Sequence, residues 1–199
     1  MKATSRANHL QRLSIVPLRF PRGWIRSLSI ARWQRYCKVP DPLVKFALPG
    51  AEWSLQFDEA AVSMLQRRMQ RWSRSKESVG QLFTNDLTAS TIVISKVTSL
   101  KARHASWSSV AFDPIEAMRQ RQDLLQEGLY CIGLWHTHPE AMPTPSGTDE
   151  RLAADHARAA ISVLNGFTFV IVGNRPFPEG WYVGFHDTAR FLKAEFSRS

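Results

Sequence analysis

Two histidines, a serine and an aspartate lie close together in the middle of the chain. One residue separates His136 from His138, seven separate His138 from Ser146, and two separate Ser146 from Asp149. Two imidazoles and one carboxylate form a three-ligand set that leaves one position of a tetrahedral zinc ion open, as in catalytic sites. Imidazole favours zinc, whereas magnesium prefers oxygen ligands and water. The pattern therefore predicts one catalytic zinc ion bound by His136, His138 and Asp149.

The segments on either side of the histidines are expected to position them. Residues 130–135 form an apolar run typical of a strand, and side chains two apart on a strand point to the same side. His136 and His138 are therefore expected to leave the strand end side by side. Pro139 ends the pairing, and a polar, alanine-rich helix follows with Asp149 in its first turn. The carboxylate is then expected to face the imidazole pair across a short loop.

Ser146 and Asp149 also permit an interpretation without a metal. A hydroxyl followed three residues later by an acid is the capping-box pattern of a helix N-terminus. A cap and a metal ligand are compatible, so both interpretations stay open.

Residues 135–149 resemble the JAMM motif, also called MPN-plus or JAB1, of zinc-dependent isopeptidases. That family also uses a distant upstream glutamate, which Glu77 in residues 76–83 matches, although Val79 stands where relatives usually have glycine. Zinc lowers the pKa of bound water to about 7. The resemblance implies that Glu77 is the base that takes a proton and returns it to the leaving amine. It implies that Ser146 stabilises the negative oxygen and is not a nucleophile.

The resemblance also implies a fold and an activity. The fold is an α/β, three-layer α/β/α sandwich with a mixed sheet, the cytidine-deaminase-like JAMM fold, covering roughly residues 43–186. The activity is hydrolysis of the bond after the C-terminal glycine of a ubiquitin-like protein or its conjugate. Residues 133–140 are similar to prokaryotic JAB-domain proteases, especially deconjugating enzymes of bacterial anti-phage operons. The alternatives are a JAB peptidase that processes a sulfur-carrier protein, an inactive MPN scaffold, and a nucleic-acid adaptor.

Other hydrolytic and zinc chemistries lack their motifs. No serine lies in a GxSxG elbow, HExxH and its inverse do not occur, and no cysteine follows Cys131 to complete a deaminase motif. Cys131 lies five residues before His136, so we expect it on the opposite sheet face, in a packing role. No site role is predicted for the remaining candidates, which are His104, His156, His186, Glu140 and Glu150.

Charge divides the chain into a basic extension and a neutral domain. The net charge is +9, and residues 1–40 contain nine of the 26 lysines and arginines but none of the 17 acids. We therefore predict an N-terminal extension over residues 1–40 and a catalytic domain over 41–199. The neutral domain argues against nucleic acid as a partner, except through the extension. The extension also has the composition of a transit peptide, and a flexible tail or a wrongly chosen start codon explains it equally well.

Composition and hydropathy indicate a domain with a real core. Hydrophobic residues make up 44% and charged residues 22% of the 199 residues. No apolar run reaches eighteen residues, so no membrane span is expected. The two cysteines fit no disulfide or metal spacing, which indicates a reducing compartment and hence the cytoplasm. The predicted elements are a hairpin (43–48 and 53–57), helices (58–72, 114–128 and one opened by residues 146–149) and strands (80–83, 91–97, 106–112, 130–135, 167–172 and 181–185).

Overall fold

The computed structural model describes residues 44–48, 50–72, 75–105 and 110–198. The predictions for residues 1–40 and for most of a strand over 106–112 lie outside these residues. The elements are β1 (Val44–Ala47), β2 (Ser54–Phe57), α1 (Glu59–Arg67), β3 (Val79–Thr84), β4 (Thr91–Ile94), β5 (Lys96–Ser99), β6 (Ala102–Ala105), β7 (Val110–Phe112), α2 (Pro114–Gln126), β8 (Tyr130–Thr137), α3 (Gly147–Ala160), β9 (Phe167–Val172), β10 (Trp181–His186), β11 (Phe191–Lys193) and β12 (Glu195–Arg198).

A six-stranded mixed sheet forms the centre of the fold. Its strand order is β11-β10-β9-β8-β3-β5, with β8 and β9 parallel and the other neighbours antiparallel. The predicted hairpin is confirmed as β1 and β2, but it belongs to a second sheet of order β12-β1-β2-β4. The predicted α/β fold with a mixed sheet is thus confirmed, and the second sheet is an addition to it.

Each face of the six-stranded sheet has its own covering layer. On one face, Trp135 and Val170 pack in a cluster with Phe46 and Leu55 of the second sheet and Leu65 of α1. On the other face, the cluster contains Leu134, Phe169 and Ile171, together with Ala153 and Ala157 of α3. Burying each large apolar side chain contributes roughly 1.5–3 kcal/mol. The face of α3 that carries Ala153 and Ala157 packs against these large side chains, and this contact fixes the helix whose first turn carries Asp149.

The predicted strand over residues 91–97 is wrong as a single element. Ile94 pairs with Phe57 in the second sheet, whereas Lys96 pairs with Phe83 in the six-stranded sheet. The chain therefore changes sheet at Ser95, whose N–H donates to the carbonyl of Phe83 at 3.1 Å. Strand-forming residues lie on both sides of Ser95 and Lys96, so the local pattern does not show that the chain changes sheet here.

Two predicted helices differ in their ends. α1 stops at Arg67, five residues before the predicted end, where the Arg68 N–H donates to the Leu65 carbonyl at 3.0 Å. In α2 the Asp113 cap is confirmed, its carboxylate accepting from the Ile115 N–H at 2.9 Å. Glu116 does not complete the predicted capping box, because its carboxylate accepts from the Lys101 N–H at 3.3 Å.

A β-bulge in β8 changes which way Cys131 points. Leu82 pairs with Gly133 and Phe83 pairs with Cys131, so Ile132 is the extra residue. The extra residue reverses the alternation, and Cys131 packs against the Leu134 cluster instead of the opposite face. The predicted orientation of Cys131 was therefore wrong, because it assumed a regular strand. Its predicted packing role is consistent with its partly buried position in that cluster.

Among the described residues, no helix combines the length and the hydropathy needed to span a bilayer.

Candidate metal centre

His136 lies near the C-terminal end of the central strand β8. β8 continues to Thr137, and His136 pairs with Val79 on one side and Ile171 on the other. Its side chain is buried, with its ring centroid 5.2 Å from that of Phe169. Burial, with a smaller contribution from His138, lowers the pKa of His136 from 6.5 to about 4 against the opposing effect of Asp149. The imidazole is thus neutral near pH 7, which is the form that coordinates a metal ion.

His138 lies one residue beyond the strand and faces His136. Its backbone N–H donates to the Val172 carbonyl at 2.9 Å, so β9 fixes the position of the chain here. The two imidazole rings meet edge to face, with centroids 4.7 Å apart, and the two Nε2 atoms are 2.9 Å apart. The predicted side-by-side placement of the two histidines is present in the structure.

The first turn of α3 positions Asp149. Its Oδ2 accepts hydrogen bonds from the backbone N–H and the hydroxyl of Ser146, both at 2.7 Å. The Ser146 Oγ accepts in turn from the Asp149 N–H at 3.3 Å, which completes a capping box. Oδ1 is 3.4 Å from His136 Nε2. The cap thus uses Oδ2 and leaves Oδ1 facing His136.

Glycine at position 173 allows the loop after the histidines to approach β9. A Cβ atom at Gly173 would lie 2.5 Å from the Glu140 carbonyl oxygen and 2.6 Å from Pro143 Cδ. The next residue, Asn174, donates its N–H to the Glu140 carbonyl at 2.8 Å. The loop that connects the histidines to α3 is therefore held against the ends of β9 and β10.

The spacing of the donor atoms fits a zinc ion. The separations are 2.9 Å between the two Nε2 atoms, 3.4 Å from His136 Nε2 to Asp149 Oδ1, and 3.9 Å from His138 Nε2 to Asp149 Oδ2. A tetrahedral zinc ion with bonds of about 2.0–2.1 Å requires ligand atoms about 3.3 Å apart. Within the described part of the chain, this is the one cluster of three such ligands within 4.8 Å of one another.

Glu77 lies beside this cluster, two residues before the start of β3. Ser78 and Thr137 exchange hydrogen bonds of 2.9 and 3.0 Å, so the antiparallel register places Glu77 across from His138. Val79, in the position where glycine is usual in the JAMM motif, is buried and pairs regularly with His136. The valine therefore does not keep Glu77 away from the site.

The Glu77 carboxylate is buried and short of hydrogen bonds. The side chain is 5% exposed, and its Oε1 has no hydrogen-bond partner. Burial, then the charges of Asp149 and Glu140, raises the pKa of Glu77 from 4.5 to about 7. Among the described residues, no lysine or arginine forms an ion pair with Glu77 or Asp149. Three converging carboxylates without a protein cation suit a divalent metal ion.

Glu140 contributes to the site in a way that the sequence did not indicate. Its carboxylate is exposed, as expected, but its Oε2 is 3.1 Å from His138 Nδ1. A carboxylate that accepts from one ring nitrogen keeps the proton there and leaves the other nitrogen free for a metal. The exposed position agrees with the interpretation of Glu140 as a surface charge, and the contact with His138 is an addition to it. The available signal was a carboxylate two residues after a candidate ligand.

Glu140→Ala is expected to weaken zinc binding by about 10–100-fold, the usual cost of losing a carboxylate that orients a histidine ligand. Competition with a chromophoric chelator measures the affinity. Glu150→Ala is the matched control, because Glu150 is an exposed acid in the first turn of α3. Equal zinc affinity in Glu140→Ala and Glu150→Ala would exclude this orienting role.

The two other histidines whose side chains the structure describes, His156 and His186, lie away from the cluster. His156 is near the C-terminal end of α3, where its ring stacks on Phe167 with centroids 5.0 Å apart. His186 is buried at the end of β10, and its Nδ1 accepts from the Thr188 N–H at 3.0 Å. The side chain of His104 lies outside the described residues. The structure thus places neither His156 nor His186 among the candidate ligands.

Stability is expected to fall as the pH drops from about 6.5 to 4. Burial first, and then Arg121, lowers the pKa of His156 from 6.5 to about 4, so the unfolded chain binds a proton in this range more readily than the folded chain. His156→Phe keeps the stacking and should reduce the loss by roughly 1–2 kcal/mol, a figure that allows for partial exposure. Urea unfolding of the wild type and of His156→Phe at pH 7 and 4.5 measures the loss of unfolding free energy in each protein. The lowered pKa of His136 adds to the loss in both proteins. An identical loss in wild type and His156→Phe would therefore contradict the contribution assigned to His156.

Comparison with known proteins agrees with this fold and site. The family described as prokaryotic homologs of the JAB domain matches residues 59–183. The matched residues make up more than half of the chain. They include most of the mixed sheet and the His-His-Asp cluster at the end of β8. The chain therefore belongs to the prokaryotic JAB homologs.

Two of the solved structures similar to this chain are proteins from Desulfitobacterium hafniense and Salinibacter ruber. A protein from Desulfitobacterium hafniense, solved in solution, is 19% identical with a TM-score of 0.50, covering 71% of this chain and 88% of that one. A protein from Salinibacter ruber is 18% identical with a TM-score of 0.45, covering 72% and 90%. The first of these likenesses supports the fold alone. No curated protein matches the chain.

Proposed function

We propose that the chain is a zinc-dependent isopeptidase or peptidase that hydrolyses the bond after the C-terminal glycine of a ubiquitin-like protein. The observation that carries this proposal is the buried Glu77 carboxylate, with an unpartnered oxygen, beside the His136, His138 and Asp149 cluster. A metal-binding cluster needs no such carboxylate for structure alone. Hydrolysis needs a group of this kind to move a proton.

Each residue has a distinct role in the proposed reaction. His136, His138 and Asp149 coordinate zinc, which when bound supplies a Lewis acid and makes hydroxide available near neutral pH. Glu77 takes the proton of the attacking water and delivers it to the leaving amine. Its pKa of about 7 suits both steps at neutral pH.

In the proposed reaction, the Ser146 hydroxyl stabilises the negative oxygen of the substrate. Its hydroxyl donates to Asp149 Oδ2 and thereby positions a ligand carboxylate. To stabilise the negative oxygen of the substrate, the Ser146 hydroxyl has to give up its hydrogen bond to Asp149 and donate to that oxygen instead. Ser146 is exposed at the start of α3, so a substrate carbonyl can reach it.

The proposed substrate is a ubiquitin-like protein or its conjugate, recognised through its extended C-terminal tail. The similarity of residues 133–140 to deconjugating enzymes supports a place in a bacterial anti-phage conjugation system. The balanced charge of the domain supports a protein partner over nucleic acid, and the cysteine usage supports the cytoplasm.

Cleavage of fluorogenic amides tests the proposal. The zinc-loaded protein is incubated with ubiquitin aminocoumarin and with a glycylglycyl-aminocoumarin peptide. We expect coumarin release from at least one of them, lost with a chelator and restored by added zinc. Stoichiometric zinc without release from either amide would contradict the proposal and support an inactive scaffold.

A further inference from the structure

A cavity lies at the opposite end of β8 from the metal centre. It has a volume of about 240 Å³ and lies between α2 and α3, where Tyr130 and Cys131 begin the strand. At about 3.3 Å per strand residue, Cys131 is roughly 17 Å from His136. The cavity is therefore separate from the candidate metal centre.

The walls of this cavity are mainly apolar. They include Leu125, Leu129, Leu164 and Phe167, and the polar side chains of Arg121 and His156 also line it. Leu125 and Val163, at its rim, are 50% and 69% exposed. Exposed apolar side chains around a concave apolar surface are typical of a binding site.

Arg121 brings a fixed positive charge to this apolar cavity. Its Nε donates to the Oε1 of Gln81, which is fully buried. Gln81 is itself held by α2, since its Nε2 donates to the Ala117 carbonyl at 3.1 Å and to Gln120 Oε1 at 3.2 Å. The direction of the guanidinium is thus set by residues that do not neutralise it.

The Arg121 guanidinium has donors left over. Its Nη2 is buried and has no hydrogen-bond partner, and no carboxylate forms an ion pair with it in the described part of the chain. A buried donor on a charged group costs more free energy without a partner than a neutral one does. An anion that accepts from Nη2 would remove this cost once the guanidinium turns this nitrogen toward the cavity.

We propose that the cavity binds a small carboxylic acid with an apolar body. The carboxylate accepts from Arg121, and the hydrocarbon part lies along Leu125, Leu129 and Leu164. One guanidinium matches one negative charge, whereas a phosphate would bring more charge and need more polar walls. The volume is below the roughly 300–1,000 Å³ of pockets for drug-sized molecules, so a ligand of about ten non-hydrogen atoms is expected.

Calorimetric titration of the full-length protein with octanoate tests the proposal. Acetate has the charge without the chain, and octanol has the chain without the charge. We expect saturable one-to-one binding of octanoate, and at least about tenfold weaker binding of acetate and octanol, because each lacks one of the two contacts. Absence of saturable octanoate binding, or octanol binding as tightly as octanoate, would overturn the proposal.

Two variants assign the binding to this cavity. Arg121→Gln should weaken octanoate binding at least about tenfold, whereas Arg119→Gln, an exposed arginine on the same helix, should change it less than about twofold. Ala159→Phe fills the cavity from an exposed position and leaves Arg121 in place, so it tests the site even where Arg121→Gln disturbs folding. Ala159→Phe should also weaken octanoate binding at least about tenfold. Wild-type affinity in Ala159→Phe, or equal losses in the two arginine variants, would overturn the assignment.

Discussion

Glu77→Gln is expected to lower kcat/KM for the aminocoumarin substrates by about 10²–10⁴-fold, the usual contribution of general acid–base catalysis. The amide has the shape of the carboxylate but cannot take a proton from water. Zinc content should stay at one ion per chain, because Glu77 is not among the three clustered ligands. Kinetics and metal analysis of the same preparation separate these two effects.

The control for this substitution is Glu150→Gln, which removes an exposed acid near the same cluster and should retain activity. Folding of Glu77→Gln should not suffer, since the wild-type carboxylate is already unfavourably buried and its pKa is raised to about 7. Full activity in Glu77→Gln would remove Glu77 from the mechanism.

His138→Ala is expected to lose stoichiometric zinc. The substitution removes one of three protein ligands, so its effect should exceed the 10–100-fold loss that removal of an orienting carboxylate causes. His138 lies beyond the end of β8 and is less buried than His136, so the substitution should spare the core. Zinc titration and elemental analysis measure the result.

The matched control is His156→Ala, which removes a histidine from the far end of α3 and should leave zinc binding unchanged. An ordering in which Glu140→Ala weakens zinc more than His138→Ala does would contradict the assigned roles, because an orienting group cannot contribute more than the ligand it orients.

The local part of the site could be predicted from sequence. His136 and His138 depend on the alternation of one strand, and the placement of Asp149 depends on a short loop and a helix start. These are short-range features that residue spacing determines. The capping box of Ser146 and Asp149 could be predicted for the same reason, and it coexists with the ligand role on separate oxygens.

The long-range part could not be predicted in this way. Glu77 is close to the site only because β3 pairs with β8, and the sequence indicated it through family resemblance alone. The sheet change at Ser95 and the bulge at Ile132 arise from pairing between distant strands. Glu140 was missed because a carboxylate in a loop is usually solvated, and its contact with His138 depends on how the loop is held by β9.

X-ray absorption at the zinc edge of the loaded protein tests whether His136, His138 and Asp149 hold a zinc ion with one position open to solvent. We expect one zinc per chain with four ligands, two of them imidazole nitrogens and two of them oxygens, one from a carboxylate and one from solvent. A sulfur ligand, a shell without imidazole, or the absence of stoichiometric zinc would contradict it.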